Sequence, residues 1–114
     1  MLDGGANNDT LNGGLGNDTL TGGTAGWTVA DTFQFSGTNF GNDVITDFNP
    51  GTSTTAVDKI QVSTTAFANW AAIQAALTYD AGTNTSKITL DVNNSITLLN
   101  TDSANLGAND FIFS

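Results

Sequence analysis

Two aspartates, Asp9 and Asp18, have the residue type and the surroundings that suggest metal binding. Each is the sixth residue of a nine-residue unit that begins with two glycines, residues 4–12 and residues 13–21. Calcium takes about 6–8 oxygen ligands, from carboxylates and backbone carbonyls alike. Glycine lets the backbone turn sharply enough to present its carbonyls inward. A Gly-rich loop that ends in Asp therefore offers both kinds of ligand.

The remainder of each unit is suited to a short strand. Thr-Leu-Asn in the first unit and Thr-Leu-Thr in the second place one leucine between two polar residues, so that it can point into a narrow core. One unit then makes one loop and one strand, or half of a coil, and an ion can lie between the loops of unit n and unit n+2. A flexible Gly/Asn linker is the alternative. A linker, however, has no reason to keep Gly-Gly, Asp and Leu in register twice.

These units resemble the RTX repeats of proteins that bacteria export through type I secretion systems. The resemblance implies that Asp carboxylates and loop carbonyls bind calcium, with Asp9 and Asp18 as the carboxylate ligands of the two complete units. Asn7 stands where the family pattern has its fourth-position glycine. Because asparagine tolerates the left-handed backbone region better than most residues do, we expect a weakened unit rather than a broken one.

Two altered units come after the complete ones. In the third unit, the glycine pair at residues 22–23 is separated from Asp31 by a loop that is longer by four residues. In the fourth unit, residues 38–46, the leading glycines are lost but Asp43 keeps its place before an apolar residue. Both units therefore keep the Asp-x-apolar ending that places a carboxylate beside a strand.

Stacking of unit n on unit n+2 pairs Asp9 with Asp31 and Asp18 with Asp43. It predicts about two calcium ions, one for each pair. The second pair spans the cleaner loops and is the more strongly favoured.

The segment around Asp47 has two interpretations. Residues 43–51 resemble the segment that closes the roll in RTX proteins, serralysin-type proteases included. Asp47 either adds a carboxylate to the terminal ion or caps the turn at residues 49–51, since Asn, Pro and Gly are strong turn formers. Counting carboxylates and loop carbonyls together, the resemblance implies these candidate calcium ligands: Gly4, Gly5, Ala6, Asn7, Asp9, Gly13, Gly14, Leu15, Gly16, Asp18, Gly22, Gly23, Asp31, Phe40, Gly41, Asp43 and Asp47.

The second half of the chain is expected to cap the first. Alternating apolar residues indicate short strands, and apolar residues at helical spacing after Ser-Thr-Thr indicate one helix. The predicted elements are a strand at 58–62, a helix at 65–78, and a hairpin of strands 87–92 and 95–99 around an Asn93-Asn94 turn with positive φ angles.

Three side chains have a structural and a functional interpretation. Trp27, on the long third loop, either covers the side of the roll or recognises a ligand, and packing is favoured. Trp70 is expected to be buried on the apolar stripe of the helix, with ligand binding as the weaker alternative. Asp58 either reaches a calcium ion or begins a strand in solvent, and the solvated start is favoured.

Composition excludes several classes of function. All 11 acidic residues are Asp, and with 2 lysines they give a net charge of -9, which argues against nucleic acid and anionic membranes as partners. The chain has no Cys and no His, so disulfides, histidine catalysis and His-ligated zinc are excluded within it. No nucleophile elbow, zinc helix, phosphate loop or dinucleotide fingerprint occurs. We expect no enzyme here; entry into a repeat at residue 4 suggests a fragment whose parent carries any catalytic domain upstream.

The sequence thus predicts an all-β protein: a short parallel β-roll (β-helix) with calcium loops at residues 1–49, followed by an antiparallel β capping segment with one α-helix at residues 50–114. We expect no N-terminal signal peptide and no stable insertion in a membrane. We expect a monomer.

The expected function is calcium-triggered folding outside the cell, coupled to type I export. The last residues, 110–113, resemble the acidic and apolar terminus that is recognised during export in the RTX family. The resemblance implies that residues near 100–114 contact the ABC transporter and membrane fusion protein of a type I system, and that the protein is secreted, extracellular or on the cell surface. The alternative is a C-terminal structural or anchoring piece of a surface-layer protein or adhesin, with no export role of its own.

Overall fold

Ten short strands and one α-helix make up the part of the chain that the computed structural model describes, residues 2–23, 30–50 and 58–114. The expectation of a mainly β chain with one helix is confirmed. The elements are β1 (Leu2–Asp3), β2 (Thr10–Asn12), β3 (Thr19–Thr21), β4 (Thr32–Phe35), β5 (Asn42–Ile45), β6 (Lys59–Val62), α1 (Trp70–Ala76), β7 (Leu77–Asp80), β8 (Thr85–Asp91), β9 (Asn94–Leu98), two 3₁₀ turns (Ser103–Asn105 and Ala108–Asp110) and β10 (Phe111–Phe113).

The strands form two sheets, and from β1 to β6 consecutive strands alternate between them. The six-stranded sheet has the order β1-β3-β5-β9-β8-β7, and the four-stranded sheet has the order β10-β6-β4-β2. All neighbours are parallel except the β9-β8-β7 part, which is antiparallel. From β1 to β6, each connection between consecutive strands therefore carries the chain from one sheet to the other.

The register of the parallel strands pairs each unit with the second unit along the chain. Leu11 of the first unit lies beside Phe33 of the third, and Leu20 of the second lies beside Ile45 of the fourth. These are the apolar residues of the Asp-x-apolar endings, so the n and n+2 pairing that the repeat predicted is confirmed for the strands.

One buried cluster lies between the sheets and beneath the helix. Because most of the short strands point apolar residues inward, the residues of both halves of the chain meet there. Burying a side chain of this size stabilises the fold by about 1.5–3 kcal/mol. The cluster includes Leu11, Leu20, Phe33, Phe35, Phe40, Ile45, Ile60, Ile73, Ile88, Ile96, Leu98 and Phe111.

The predicted cap contributes strands to both sheets. β6 pairs with β4 and β10 pairs with β6, all in parallel, whereas β9 adds to β5 and begins the antiparallel part. An antiparallel cap is thus found only for β7–β9. A division at residues 49 and 50 stays a prediction, but the sheets themselves run on across it.

The helix is shorter than the predicted 65–78. It begins after Asn69, whose side-chain oxygen accepts a hydrogen bond from the Ala72 N–H at 3.0 Å and so caps the first turn. It ends at Ala76, because the next residues pair as β7 with β8. Trp70 is half-buried rather than buried, and its ring lies 5.4 Å from that of Phe111.

The predicted hairpin is present, but its turn lies one residue earlier. Asp91 pairs with Asn94, so the two turn residues are Val92 and Asn93. The Asp91 carboxylate accepts a hydrogen bond from the Asn93 N–H at 2.8 Å, which stabilises the turn without a positive φ angle. The prediction of left-handed backbone at Asn93 and Asn94 is therefore wrong. Asn94 is instead buried at the start of β9.

The prediction about Trp27 and its role falls on a residue outside the described ranges. Among the described helices, none has the length and apolar character needed to traverse a bilayer.

Candidate functional site

Aspartates of alternate units stack into two columns, one along the starts of β2, β4 and β6 and the other along the starts of β3 and β5. The first column contains Asp9, Asp31 and Asp58, and the second contains Asp18 and Asp43. Within a column, the backbone N–H of one aspartate donates a hydrogen bond to Oδ1 of the next aspartate. The donor and acceptor pairs are Asp9 to Asp31 at 2.9 Å, Asp31 to Asp58 at 2.9 Å, and Asp18 to Asp43 at 2.7 Å. Both predicted aspartate pairs are thus neighbours.

The loops take left-handed backbone at two positions of the unit. In the first three units the second residue is glycine, with φ of 90° at Gly5, 81° at Gly14 and 117° at Gly23. The fourth residue has φ of 77° at Asn7 and 95° at Gly16. The expectation that Asn7 replaces a glycine in the left-handed region is confirmed, because asparagine is one of the few other residues that adopts it readily.

The first glycine of each unit leaves room for the carboxylate of the same unit. A Cβ atom at Gly4 would lie 2.6 Å from Oδ2 of Asp9, and one at Gly13 would lie 2.6 Å from Oδ2 of Asp18. The aspartate therefore folds back over the start of its own loop, and any side chain there would displace it.

The loops of alternate units contact each other backbone to backbone. A Cβ atom at Gly23 would collide with the Gly5 carbonyl, and one at Gly41 would collide with the Gly16 carbonyl. The Gly22 carbonyl oxygen lies 2.7 Å from the position of a Gly4 Cβ atom. Carbonyl oxygens are thus concentrated between the paired loops, beside the carboxylates.

One oxygen of Asp9 and one of Asp18 are buried without a partner. Oδ2 of each carboxylate is shielded from solvent and accepts no hydrogen bond from the described residues. An unpaired buried acceptor is costly, and more so when it is charged. A hard cation bound by these atoms and by loop carbonyls would remove that cost. The residues present therefore fit calcium.

Burial raises the pKa of the other carboxyls of the columns. It raises the pKa of Asp43 to about 6, although the hydrogen bond from the Asp18 N–H opposes the shift. Burial likewise raises the pKa of Asp31 and of Asp58 against the hydrogen bonds from backbone N–H groups, and the charge of Asp47 adds to both shifts. Each of these groups gains from a nearby positive charge when it is ionised.

Asp47 has a third role that neither interpretation of the sequence included. Its oxygens accept hydrogen bonds from the N–H groups of Gly22 at 2.8 Å and Gly23 at 2.9 Å. The Asn49 N–H, which a turn cap at Asp47 would bind, donates to Oδ2 of Asp58 at 2.9 Å.

Asp58 is not a solvated strand start. It is 4 % exposed and is the last aspartate of the first column, after Asp9 and Asp31. The signal was available, since Asp58 and Ile60 repeat the Asp-x-apolar ending of the units. Asn94, in contrast, was missed altogether: its Oδ1 accepts the Gly41 N–H at 2.9 Å, a contact between residues 53 positions apart.

The remaining predicted ligands are loop residues that would contribute carbonyl oxygens. The Phe40 side chain is buried against Phe35, with ring centroids 5.5 Å apart, and Leu15 is 77 % exposed, so neither side chain faces a cation. Within the described ranges no three acidic side chains are grouped as metal ligands.

Known proteins do not extend this description. Comparisons of the chain with protein-family models, with curated proteins and with solved structures found no match. The resemblance to RTX repeats therefore depends on the nonapeptide pattern alone.

Proposed function

We propose that this chain is a calcium-binding RTX module, a short parallel β-roll that folds when it meets calcium outside the cell. The observation that carries the proposal is the burial of the Oδ2 atoms of Asp9 and Asp18, which have no hydrogen-bond partner among the described residues. They occupy the same position in two consecutive units, and each lies beside the first glycine of its own loop. The same feature in both columns favours about two ions.

Each ion would be held by residues of two paired loops. Asp9 and Asp31, with carbonyls of the first and third loops, would hold one ion. Asp18 and Asp43, with carbonyls of the second and fourth loops, would hold the other. Bound calcium supplies positive charge and directed coordination; the chain supplies carboxylates that are already buried and aligned by the hydrogen bonds between levels.

Electrostatics makes such a module dependent on its ions. With a net charge of -9 and buried carboxyls, the calcium-free fold is opposed by its own repulsion. At ten times the dissociation constant, each site adds about 1.4 kcal/mol by mass action. Two such contributions are a large share of the few kcal/mol available to a small domain. Low cytosolic calcium would leave the chain unfolded and able to pass an exporter.

The same switch would govern access to the export signal. We place the type I secretion signal, read by an ABC transporter and membrane fusion protein, in residues 100–114. Within the fold, Asp110 and Phe111 are buried, and β10 is bonded to β6. The signal would then be read only from the unfolded chain, before calcium is met. The module itself would bind and fold, and would catalyse no reaction.

Calcium titration tests the folding proposal directly. After chelation, circular dichroism should show a disordered chain that gains β signal at submillimolar to millimolar calcium, the range of extracellular modules at about 10⁻⁴–10⁻³ M, and not with magnesium. Asp9→Asn and Asp18→Asn should each lose one bound ion in calorimetric titration. Asp102→Asn is the matched control, because it removes the same charge from a residue that only caps a 3₁₀ turn. A wild-type chain that binds no calcium would refute the proposal.

Export is tested in cells that express the chain with a type I exporter. The chain should reach the medium, and deletion of residues 100–114 should retain it in the cell. Retention of the full chain despite a working exporter would contradict the export part of the proposal and leave the calcium part standing.

A further inference from the structure

Each column ends against a side chain that lies outside the glycine-rich units. In the first column Asp47 binds the N–H groups of Gly22 and Gly23; in the second, Asn94 binds the N–H of Gly41. We propose that Asp47 and Asn94 are positioning residues, not ligands. Asp47 fixes the third loop so that its carbonyls face the first loop, and Asn94 fixes the fourth loop so that its carbonyls face the second loop. The inference rests on the proposed calcium function.

Peptide planarity connects these hydrogen bonds to the candidate ligands. The N–H of Gly23 and the carbonyl of Gly22 belong to one planar trans peptide, so they point in opposite directions. Asp47 holds the N–H side at 2.9 Å. The Gly22 oxygen is therefore turned away from Asp47, and it lies 2.7 Å from the position of a Gly4 Cβ atom, against the first loop.

The same relation holds in the second column. The N–H of Gly41 shares its peptide plane with the carbonyl of Phe40, which the repeat pattern marks as a candidate ligand. Asn94 accepts that N–H at 2.9 Å, and its own amide is held by Oδ1 of Asp91, also at 2.9 Å. Because Asn94 is only 4 % exposed, this arrangement is shielded from water. The hairpin thus orients the Phe40 carbonyl.

Asp47 differs from the candidate ligands in how its oxygens are used. Both of its oxygens accept backbone N–H groups, whereas Asp9 and Asp18 each keep one buried oxygen that no group in residues 2–23, 30–50 and 58–114 binds. A ligand role and a positioning role make different predictions. Loss of a ligand removes an ion, whereas loss of a positioning contact weakens an ion that still binds.

The test isolates each site by removing the other. In the full chain, Asp18→Asn leaves the first site and Asp9→Asn leaves the second. Asp47→Asn and Asn94→Ala are placed in each background, and calcium affinity and ion count are measured by calorimetry after chelation. Asp102→Asn in both backgrounds controls for charge, and the dichroism spectrum at saturating calcium reports whether each variant folds.

We expect effects confined to one site. Asp47→Asn should weaken the first site by about tenfold or more, the value of lost hydrogen bonds to a charged group, and should change the second site by less than about twofold, as for distant independent residues. Asn94→Ala should weaken the second site by about fivefold, the value of one neutral hydrogen bond. Each background should still bind one ion.

Three results would overturn the inference. If the double variant Asp47→Asn with Asp18→Asn binds no calcium ion, Asp47 is a ligand of the first site. Equal weakening of both sites would show a general loss of stability, and unchanged affinity would show no role at all. If Asp47→Asn does not reach the folded spectrum, Asp47→Ser, which keeps one acceptor, is measured with the same expectations. Failure of the proposed function looks different, since the parent chain itself would bind no calcium.

Discussion

In the first column an acidic residue lies at every level, whereas the second column ends in the neutral amide of Asn94. The columns begin alike, because Asp9 and Asp18 both carry a buried oxygen for which the described part of the chain supplies no partner. Their outer ends differ: Asp58 and Asp47 close the first column, and both bind backbone N–H groups.

The difference shows two ways to end a column of repeats. Asp9 and Asp18, the first aspartates of the columns, each have one buried oxygen that lacks a hydrogen-bond partner among the described residues. At the other end of each column, side-chain oxygens accept backbone N–H groups. The first column achieves this with two charged residues, and the second with one amide and no added charge. The first column should therefore depend more strongly on bound cations, and four predictions test or refine that contrast.

The largest effect is expected where the paired loops touch in either column. Gly23→Ala and Gly41→Ala should each cost more than about 4 kcal/mol of unfolding free energy, because a Cβ atom would collide with a backbone carbonyl that cannot move aside. Urea unfolding in saturating calcium measures the change. Gly37→Ala is the matched control: it also has a positive φ, 66°, but open space around it, so about 1–2 kcal/mol is expected. Equal costs at all three positions would mean that the loops do not approach.

Replacement of the first aspartate of either column, Asp9 or Asp18, should remove the contribution of one bound ion to the free energy of unfolding. At ten times the dissociation constant, Asp9→Asn and Asp18→Asn should each lower the calcium-dependent stabilisation by about 1.4 kcal/mol. Unfolding at matched calcium concentrations measures this, with Asp102→Asn as the reference. If the first column depends more on cations, Asp9→Asn is the more damaging of the two; the reverse order would contradict the contrast.

Acid should stabilise the calcium-free fold. A carboxyl whose folded pKa is raised contributes stability that is fully present below the unfolded pKa, about 3.9, and that is lost as pH rises through the folded value. For Asp43 that value is about 6, so the folded fraction without calcium should increase as pH falls from 7 to 5. Asp31 and Asp58 act in the same direction.

Dichroism in chelator measures this response, and Asp43→Asn should reduce it. Asp91 has the opposite effect, and only at lower pH. The hydrogen bond from Asn94 lowers the pKa of Asp91, so the stability that ionised Asp91 contributes is lost as pH falls through that lowered value. With calcium present the sign reverses, since protons compete with the ion. A folded fraction that falls between pH 7 and 5 in chelator would contradict the role of burial.

The smallest effect is expected away from both columns. Asn69→Ala removes the cap of α1 and should cost about 1 kcal/mol of unfolding free energy. Calcium affinity in either column should not change. Unfolding and calorimetry on the same sample separate the two quantities, and a selective loss of one ion would show that the helix supports a site.

The repeat and its local consequences could be predicted from the amino-acid sequence alone. The spacing of Gly-Gly, Asp and the apolar residue predicted the pairs Leu11 with Phe33 and Asp9 with Asp31, and the left-handed backbone at Asn7. These features result from local stereochemistry and from a repeat period, and short stretches of sequence contain both.

The residues that end the columns, in contrast, are set by tertiary contacts. Asp47 binds a glycine 25 residues earlier, and Asn94 binds one 53 residues earlier. Such contacts carry no local signature, so Asn94 could be predicted only as a turn former. In the same way α1 ends at Ala76, because pairing of β7 with β8 outweighs helical spacing. Backbone N–H groups buried by the fold need acceptors, and the fold alone determines which side chains are close enough to serve.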